Sequence, residues 1–543
     1  MNTRRRTDYP DDVPEQIDAD AYTSMLHMFD EAVERFRDRP AFANFGTTIT
    51  YDDLDRTSRN LAAYLQQVLG IRKGDRVAIM APNILQYPVS VIAVMRCGAT
   101  VVNVNPSYTP RELEHQLNDA EVKALVIFSS VTATLAEVMN RISVPNVIVT
   151  KLDDLLDDTL DSPDTDTRIS DSVTFPEALA AGEKLTFEAV AVHGSDVLFL
   201  QYTGGTTGVS KGATLTHRNL VANVLQFSAW FSNKQDPGSE VILTALPLYH
   251  IFALMVNCLY ALRFGMLSVL ITDPRDISAL VQAFDKWKFT VMTGVNTLYN
   301  GLLHAEGFSD LESHLKLCIG GGAAVQRAVA DNWRAVTGCH ILEAYGLSET
   351  SPALTANRAD SAEFTGSIGL ALPSTEISIR DDSGNEVAVG EPGELCVRGP
   401  QVMRGYWRRD DATAECMTED GFFRTGDVAT VDERGYFRIV DRKKDMIIVS
   451  GFNVFPNEIE DVVGRCDGVL DSACIGVPDQ KSGEAVRVYV VKRSGVELSA
   501  DDLISFCRTE LTGYKVPKQV EFLDALPKSN VGKILRRELR DQA

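Results

Sequence analysis

The sequence predicts an α/β protein with a large N-terminal domain of parallel-rich sheets covered by helices, a β-rich subdomain, and a small α+β C-terminal domain. Three observations carry this. Apolar strand-like runs alternate with helical stretches from about residue 76; past residue 365 the texture changes to short strands with Gly-rich turns; a final stretch of about 95 residues has strands and helices of its own. At 543 residues the chain is also too long for one compact core.

The elements follow in order. Met25, Phe29, Ala32 and Phe36 repeat at i, i+4, i+7 and i+11, giving an amphipathic helix opened by Thr23 or Ser24. RVAIMA (76–81), TVVNVN (100–105) and ALVIF (124–128) read as strands, with the helix RELEHQLND (111–119) between the last two. That βαβ rhythm predicts a parallel sheet. It resumes at VLFLQY (197–202) and continues through LKLCIG (315–320). The apolar run 251–271 contains Asn257 and Arg263, and Gly265 divides a helix-like half from a β-branched half. A buried helix followed by a buried strand is expected there, not a membrane span. EPGELCVRGP and GYFRIVDRKKDMIIVSG supply the short strands, and SACIGV, AVRVYVV, ADDLISFCRTEL and a basic C-terminal helix make up the last unit. Five consecutive charged residues, Asp441–Asp445, separate two apolar strands, so the expected division is 1–440, a linker at 441–445, and 446–543.

Composition excludes several function classes. The profile of 45% hydrophobic and 24% charged residues suits a soluble globular protein. A net charge of −22 opposes nucleic acid and anionic lipid, so any anionic ligand needs a local site. Residues 153–171 hold eight aspartates and one arginine, the reverse of a membrane-docking segment, and read as a solvated surface connection. The nine cysteines form no CxxC pair, which points to a reducing compartment and against structural zinc or disulfides. MNTRRRTDYPDD lacks an apolar run and is not read as a signal peptide.

The strongest local signal is YTGGTTGVSKG (202–212), directly after a strand. Thr203, Gly204, Gly205, Thr206, Thr207 and Gly208 offer unobstructed backbone N–H groups and hydroxyls, and Lys211 adds a cation; together they suit a polyphosphate. Lys211 is followed by Gly212, so this is not a Walker A loop. The embedded GVSKG matches GxSxG, but a hydrolase elbow needs a helix immediately after it, and strand-like GATLTH follows.

At these residues the chain resembles the adenylate-forming superfamily of acyl-CoA synthetases, luciferases and peptide-synthetase adenylation domains. The resemblance runs from about Thr48 to Ala543, with YTGGTTG, LPLYH (246–250), EAYGLSET (343–350), RTGD (424–427), DRKKDMI (441–447) and PKSNVGK (527–533) in the family's order. PLYHIFAL, TGVNTLY and PKSNVGKILRREL bring it nearest to bacterial long-chain fatty acid CoA ligases.

The resemblance implies ATP, Mg²⁺ and coenzyme A as co-substrates and cofactor, with a fatty acid as acyl donor. Tyr345 would stack on adenine, next to Gly346; Ser348 would donate to phosphate and Glu349 would ligate Mg²⁺. Asp427, placed after a tight Thr425-Gly426 turn, would take the ribose hydroxyls, and Arg442 would contact the nucleotide. Lys533 would bridge fatty carboxylate and α-phosphate as charge builds in the transition state. His250 would wall or gate the carboxylate pocket, and Gly320, Gly321 and Gly322 would leave room for an alkyl tunnel. The C-terminal domain would be mobile, with Lys444 as hinge, and rotation would bring Ser450 and Gly451 to the approaching pantetheine thiol. Ile448 stands where some relatives carry a polar residue, so no side-chain role in thioester formation is expected of it.

Medium-chain and aryl-acid CoA ligases stay open as alternatives, because pocket shape decides among them. So does a fatty acyl-AMP ligase, although such enzymes carry an extra segment at the hinge and DRKKDMIIVSGFNVFPNEIE runs without one. Only ten residues follow Lys533, so no carrier domain is expected. The expected setting is cytoplasmic, with at most transient membrane contact; a homodimer is left open.

Overall fold

The computed structural model describes residues 8–203, 210–443, 445–450, 452–479, 481–529 and 532–542. Two large sheets dominate. The first has seven strands in the order Ser172–Thr174, Asn146–Thr150, Ala124–Phe128, Arg76–Met80, Thr100–Asn103, Val197–Thr203 and Lys211–Thr216. All its pairings are parallel except the last. The second has nine strands, with Ile341–Gly346, Leu317–Gly320, Val291–Gly294, Val241–Thr244, Leu267–Leu270 and Pro40–Asn44 running parallel at its centre. Strand alternation distributes the cores: Val77 and Ile79 face the core that also contains the nine-stranded sheet, whereas Ala78 and Met80 face a separate one.

Helices Met25–Phe36, Tyr51–Gln67, Gln86–Arg96 and His217–Phe231 pack on one another and on the helical run 251–264. Gln86–Arg96 is buried along its whole length, which explains why it has no polar face. Ser24 caps the first helix through His27 N, and Thr50 and Thr109 close capping boxes on theirs. The run 251–264 carries a π-helical stretch, Leu254–Tyr260, and ends at Gly265, whose left-handed conformation releases the chain into strand Leu267–Leu270. The helix-then-strand expectation for this segment therefore holds. No helix among the described residues is long and apolar enough to cross a membrane.

A four-stranded antiparallel sheet follows: Glu376–Arg380, Gly393–Arg398, Phe423–Val431 and Phe437–Arg442. Asp441 and Arg442 still belong to its last strand, so the sheet reaches two residues past the expected limit at 440. The last hundred residues fold on a five-stranded sheet with cores of their own on its two faces. Asp441, fully buried, accepts from Asn457 N at 2.9 Å, and Arg536 lies 3.9 Å from Asp441 and 3.7 Å from Asp445. The acidic stretch is ordered by its own carboxylates, with Asp154 accepting from Lys151 N and Asp166 pairing with Arg168.

Candidate active site

The phosphate-loop candidates Gly204, Gly205, Thr206, Thr207 and Gly208 lie outside the described residues. Thr203 stands opposite Lys211 in the antiparallel pair Val197–Thr203 and Lys211–Thr216. The loop's exit is anchored by His115 Nε2 on the Ser210 carbonyl at 3.0 Å. Lys211 Nζ lies 5.3 Å from the centroid of the Tyr406 ring, a cation–π geometry that fixes the ammonium beside the loop.

The EAYGLSET segment leaves the central strand Ile341–Gly346 and enters a short turn, Ser348–Thr350. At Gly346 the Pro352 carbonyl approaches so closely that a Cβ would lie 1.8 Å from its oxygen, which requires glycine. Ser348 sits half-buried at the start of the turn. Tyr345 donates its phenol to Asp427 Oδ2 at 2.6 Å, and Arg442 Nε lies 3.3 Å from Asp427 Oδ1. Asp427 is not in a tight turn as expected. It lies within strand Phe423–Val431, where pairing with the neighbouring strand is irregular and Gly426 takes φ +74°. This bulge aims the carboxylate across the sheet toward Tyr345.

Glu349 is buried at 8% exposure, and Tyr406 donates to its Oε1 at 2.8 Å. Burial raises its carboxyl above the ordinary range, opposed by hydrogen bonds and by Arg442. The strap carrying Tyr406 is itself pinned: Met403 N donates to the Glu349 carbonyl at 2.7 Å and Trp407 N to the Gly212 carbonyl at 2.8 Å. The phosphate-loop stalk and Glu349 are thus held by one segment.

Lys533 reaches this cluster from the turn that follows the last C-terminal strand, Gln519–Phe522. Its turn closes through Ser529 N to the Lys533 carbonyl at 2.7 Å and Lys533 N to Ser529 Oγ at 3.2 Å. Gly532, at φ +77°, lies so near Val295 and Thr297 that a Cβ would come within 2.7 Å of Thr297 Oγ1. A Cβ on Gly322 would stand 3.5 Å from Lys533 Cε, so the two glycines let the loop seat in the large domain. Burial and the Arg442 charge push the Lys533 ammonium down to about 8, against the pull of Asp427 and Glu349. His250 feels the same cation: burial first, then Lys533, push its imidazole down to about 3, so it is neutral near pH 7. Its Nδ1 accepts from Phe252 N at 3.4 Å, capping the helical run below it.

The alkyl-room expectation for Gly320, Gly321 and Gly322 needs correction in detail. A Cβ on Gly320 would meet Val325 at 2.6 Å, and one on Gly321 would meet the Phe252 ring at 3.0 Å. The space beside Gly320 and Gly321 is filled by these neighbours, whereas Gly322 is exposed. Ser450 is exposed, in a left-handed conformation (φ +54°), and donates its N–H to the Ser482 carbonyl at 2.7 Å. Gly451 and Lys444 lie outside the described residues.

Phe252, Tyr406, Thr297 and Glu343 escaped the sequence reading. Glu343 is buried: Val325 N donates to its Oε1 at 3.1 Å, its Oε2 has no hydrogen-bond partner among the described residues, and burial raises it to about 7. A sequence signal existed only for Tyr406, an aromatic pair with Trp407 inside the polar run MRGYWRRDD.

The chain is similar to known proteins over nearly its whole length. Residues 29–407 match the family described as AMP-binding enzyme, and residues 458–533 match the AMP-binding enzyme C-terminal domain. A long-chain-fatty-acid–CoA ligase from Yersinia pestis is 53% identical across 98% of this chain and 97% of that protein. Among solved structures, ATP-bound MatB from Rhodopseudomonas palustris superposes with a TM-score of 0.84 at 30% identity, covering 96% and 99% of the two chains. The anthranilate CoA ligase AuaEII with anthranoyl-AMP shares the fold, with a TM-score of 0.87 at 23% identity over 97% and 99%.

Proposed function

Because the chain belongs to the AMP-binding enzyme family, we propose that it is an ATP-dependent fatty acid–CoA ligase acting on long acyl chains. A fatty carboxylate oxygen attacks the α-phosphorus of ATP, the bond to the pyrophosphate oxygen breaks, and acyl-AMP forms. The CoA thiol then attacks the acyl carbonyl, its proton is released, and AMP departs as the thioester forms. One observation carries this reading: half-buried Lys533, from the turn after the last C-terminal strand, lies beside Gly322 and within electrostatic reach of Asp427, Glu349 and Arg442 of the large domain.

Bringing a carboxylate to a phosphate joins two anions, and a preorganised cation in a dry site lowers that barrier most as charge builds. Lys533 serves that role. Neutral His250 walls the carboxylate side without adding a second fixed charge. Tyr345 and Asp427, already hydrogen-bonded, hold adenine and ribose, and Arg442 contacts the nucleotide from the same carboxylate. Lys211 and the loop Thr203–Gly208 take the phosphates, with Ser348 as a further donor.

Glu349 fits a Mg²⁺ ligand: a buried carboxyl whose charge is disfavoured by burial gains from a hard cation. Among the described residues no three His, Cys, Asp or Glu side chains converge as a metal site. Glu349 would be the residue that holds the ion beside the bound phosphates. The ion, when bound, neutralises phosphate charge.

We assign the second half-reaction to a rotated C-terminal domain, with residues 441–445 as linker and Lys444 as pivot. Asp441–Asn457 and Arg536–Asp441 are the contacts that such a rotation rearranges. We assign the CoA contact to exposed Ser450 and to Gly451, which lies outside the described residues; Phe452, 56% exposed, follows them. We place the protein in the cytoplasm; contact with membrane is at most transient, since residues 153–171 repel anionic lipid, and a homodimer is compatible with this reading. The direct test is ATP–pyrophosphate exchange: we expect a C14–C18 fatty acid to drive it and CoA to turn it into AMP release. Exchange driven by aryl acids and not by fatty acids would overturn the acyl assignment.

A further inference from the structure

Tyr406 stands between two opposite charges, and the backbone puts it there. Its segment lies against strand Lys211–Thr216 as an added edge: Arg404 N donates to the Thr214 carbonyl at 3.0 Å, Thr214 N to the Gly405 carbonyl at 2.9 Å, and Tyr406 pairs with Ala213 in an antiparallel bridge. Residues opposite each other across a bridge share a face, as do residues two apart on a strand, so Lys211 and Tyr406 present their side chains on the same side. Tyr406 N also donates to Thr413 Oγ1 at 2.9 Å, which anchors the residue from behind. The half-buried side chain then touches both charges. Its hydroxyl donates to Glu349 Oε1 at 2.8 Å, and its ring centroid lies 5.3 Å from Lys211 Nζ. Among the described residues Lys211 and Glu349 form no ion pair with each other, although both charges reach the Cys416 thiol, Glu349 raising it and Lys211 lowering it.

We propose that Tyr406 is a positioning residue that keeps Lys211 and Glu349 from neutralising each other in the empty site, so that one stays free for a phosphate and the other for the metal ion. This rests on the fatty acid–CoA ligase reading, which gives Lys211 to the phosphates and Glu349 to Mg²⁺. The two contacts suit the task. An ammonium over a ring face, and a carboxylate on a neutral phenol, are each weaker than a direct ion pair in a partly buried place. Both are exchanged for ATP and the ion without a stronger bond breaking first. Burial, then the Glu349 charge, raise the Tyr406 phenol, so the hydroxyl keeps its proton and remains a donor. With a smaller side chain at 406 the flexible lysine stem lets the ammonium swing onto Glu349, and that pair has to open before phosphate and metal bind.

The experiment is a calorimetric titration of ATP binding against Mg²⁺ concentration, with no fatty acid present. It compares the parent, Tyr406→Phe, Tyr406→Leu, Lys211→Met and the double variant Tyr406→Leu/Lys211→Met. Tyr406→Leu is expected to raise the half-saturating Mg²⁺ concentration about fivefold, the size of an ion pair that must be opened. Tyr406→Phe keeps the ring between the charges and is expected to raise it less. Lys211→Met removes the competing cation, so beside it the leucine substitution is expected to shift half-saturation by less than about twofold. A merely structural role for Tyr406 would move both backgrounds alike. A rise of more than about twofold that persists beside Lys211→Met, no rise with Tyr406→Leu, or an equal rise with Tyr406→Phe overturns the proposal. Tyr406→Ser opens the same gap and decides the matter if Tyr406→Leu does not fold. Failure of the underlying reading is seen separately, as a parent protein whose ATP binding is absent or indifferent to Mg²⁺.

Discussion

The phenol of Tyr345 and the carboxylate of Asp427 are joined by a 2.6 Å hydrogen bond across 82 residues of sequence. The bond ties the end of a central strand to a bulge in the four-stranded sheet, and so fixes the group proposed for adenine relative to the group proposed for ribose. Tyr345→Phe removes the donor and leaves Arg442 as a partner of Asp427. A hydrogen bond to a charged group contributes roughly 1.5–3 kcal/mol. We expect KM for ATP to rise about tenfold with kcat within twofold, as for an interaction equal in ground and transition states. Steady-state titration of ATP at saturating fatty acid checks this; a loss confined to kcat would contradict it.

Glu349→Gln removes the one buried carboxylate proposed for Mg²⁺ and keeps the side chain's shape. The Mg²⁺ concentration for half-maximal adenylation should rise by about tenfold or more, because a charged oxygen ligand is replaced by a neutral one. Tyr406→Phe, which deletes the 2.8 Å bond to Glu349, should move the titration less and in the same direction. Overlaid Mg²⁺ curves for parent and Glu349→Gln would remove Glu349 from the metal site.

Burial holds the Lys533 ammonium down near 8 in the free protein. The cation is therefore present below pH 8 and lost as pH rises through it. We expect kcat/KM for the adenylation half-reaction to fall above about pH 8, since that parameter reports the free enzyme. His250, held near 3, should add no limb around pH 6 to 7. A flat profile to pH 9.5 would mean that Lys533 keeps its proton or takes no part.

Glu343 makes a stability prediction with a defined sign. Its carboxyl is raised from 4.5 to about 7 by burial, so the folded state holds a proton that the unfolded chain releases. Its favourable contribution is full below pH 4.5 and is lost as pH rises through 7. Glu343→Gln should flatten the decline between pH 5 and 8 by about 3 kcal/mol at most. Denaturant unfolding at both pH values measures it; identical pH dependence in parent and variant would contradict the burial argument.

Much of the fold was legible because local pattern and tertiary role agreed. Strand 124–128, the helix from Met25, and the break at Gly265 follow from periodicity and a single left-handed glycine. Tyr345, Glu349, Asp427, Arg442 and Lys533, which motif order pointed to, lie near one another although they come from two different sheets, the turn after one of them and a C-terminal turn. What periodicity does not carry is contact between distant segments. Tyr406 on Glu349 joins residues 57 apart, and Phe252 fills the space beside Gly321 from another element. The turn expected before Asp427 is a bulge, because a Gly with positive φ reads alike in both. Glu343 looked like an ordinary motif residue, and only the three-dimensional enclosure by Val325 and its neighbours gives it a raised carboxyl.

The central claim is that Lys533 acts in adenylate formation and is carried away before thioester formation. A single-turnover assay that follows acyl-AMP and acyl-CoA separately tests it with Lys533→Ala. Adenylate formation from ATP and fatty acid is expected to fall by about 10²-fold or more, the scale for loss of one preorganised charge-stabilising group. Transfer to CoA from supplied acyl-AMP should stay within about threefold of the parent, roughly the size of a minor contact. Equal loss in both half-reactions would contradict the account.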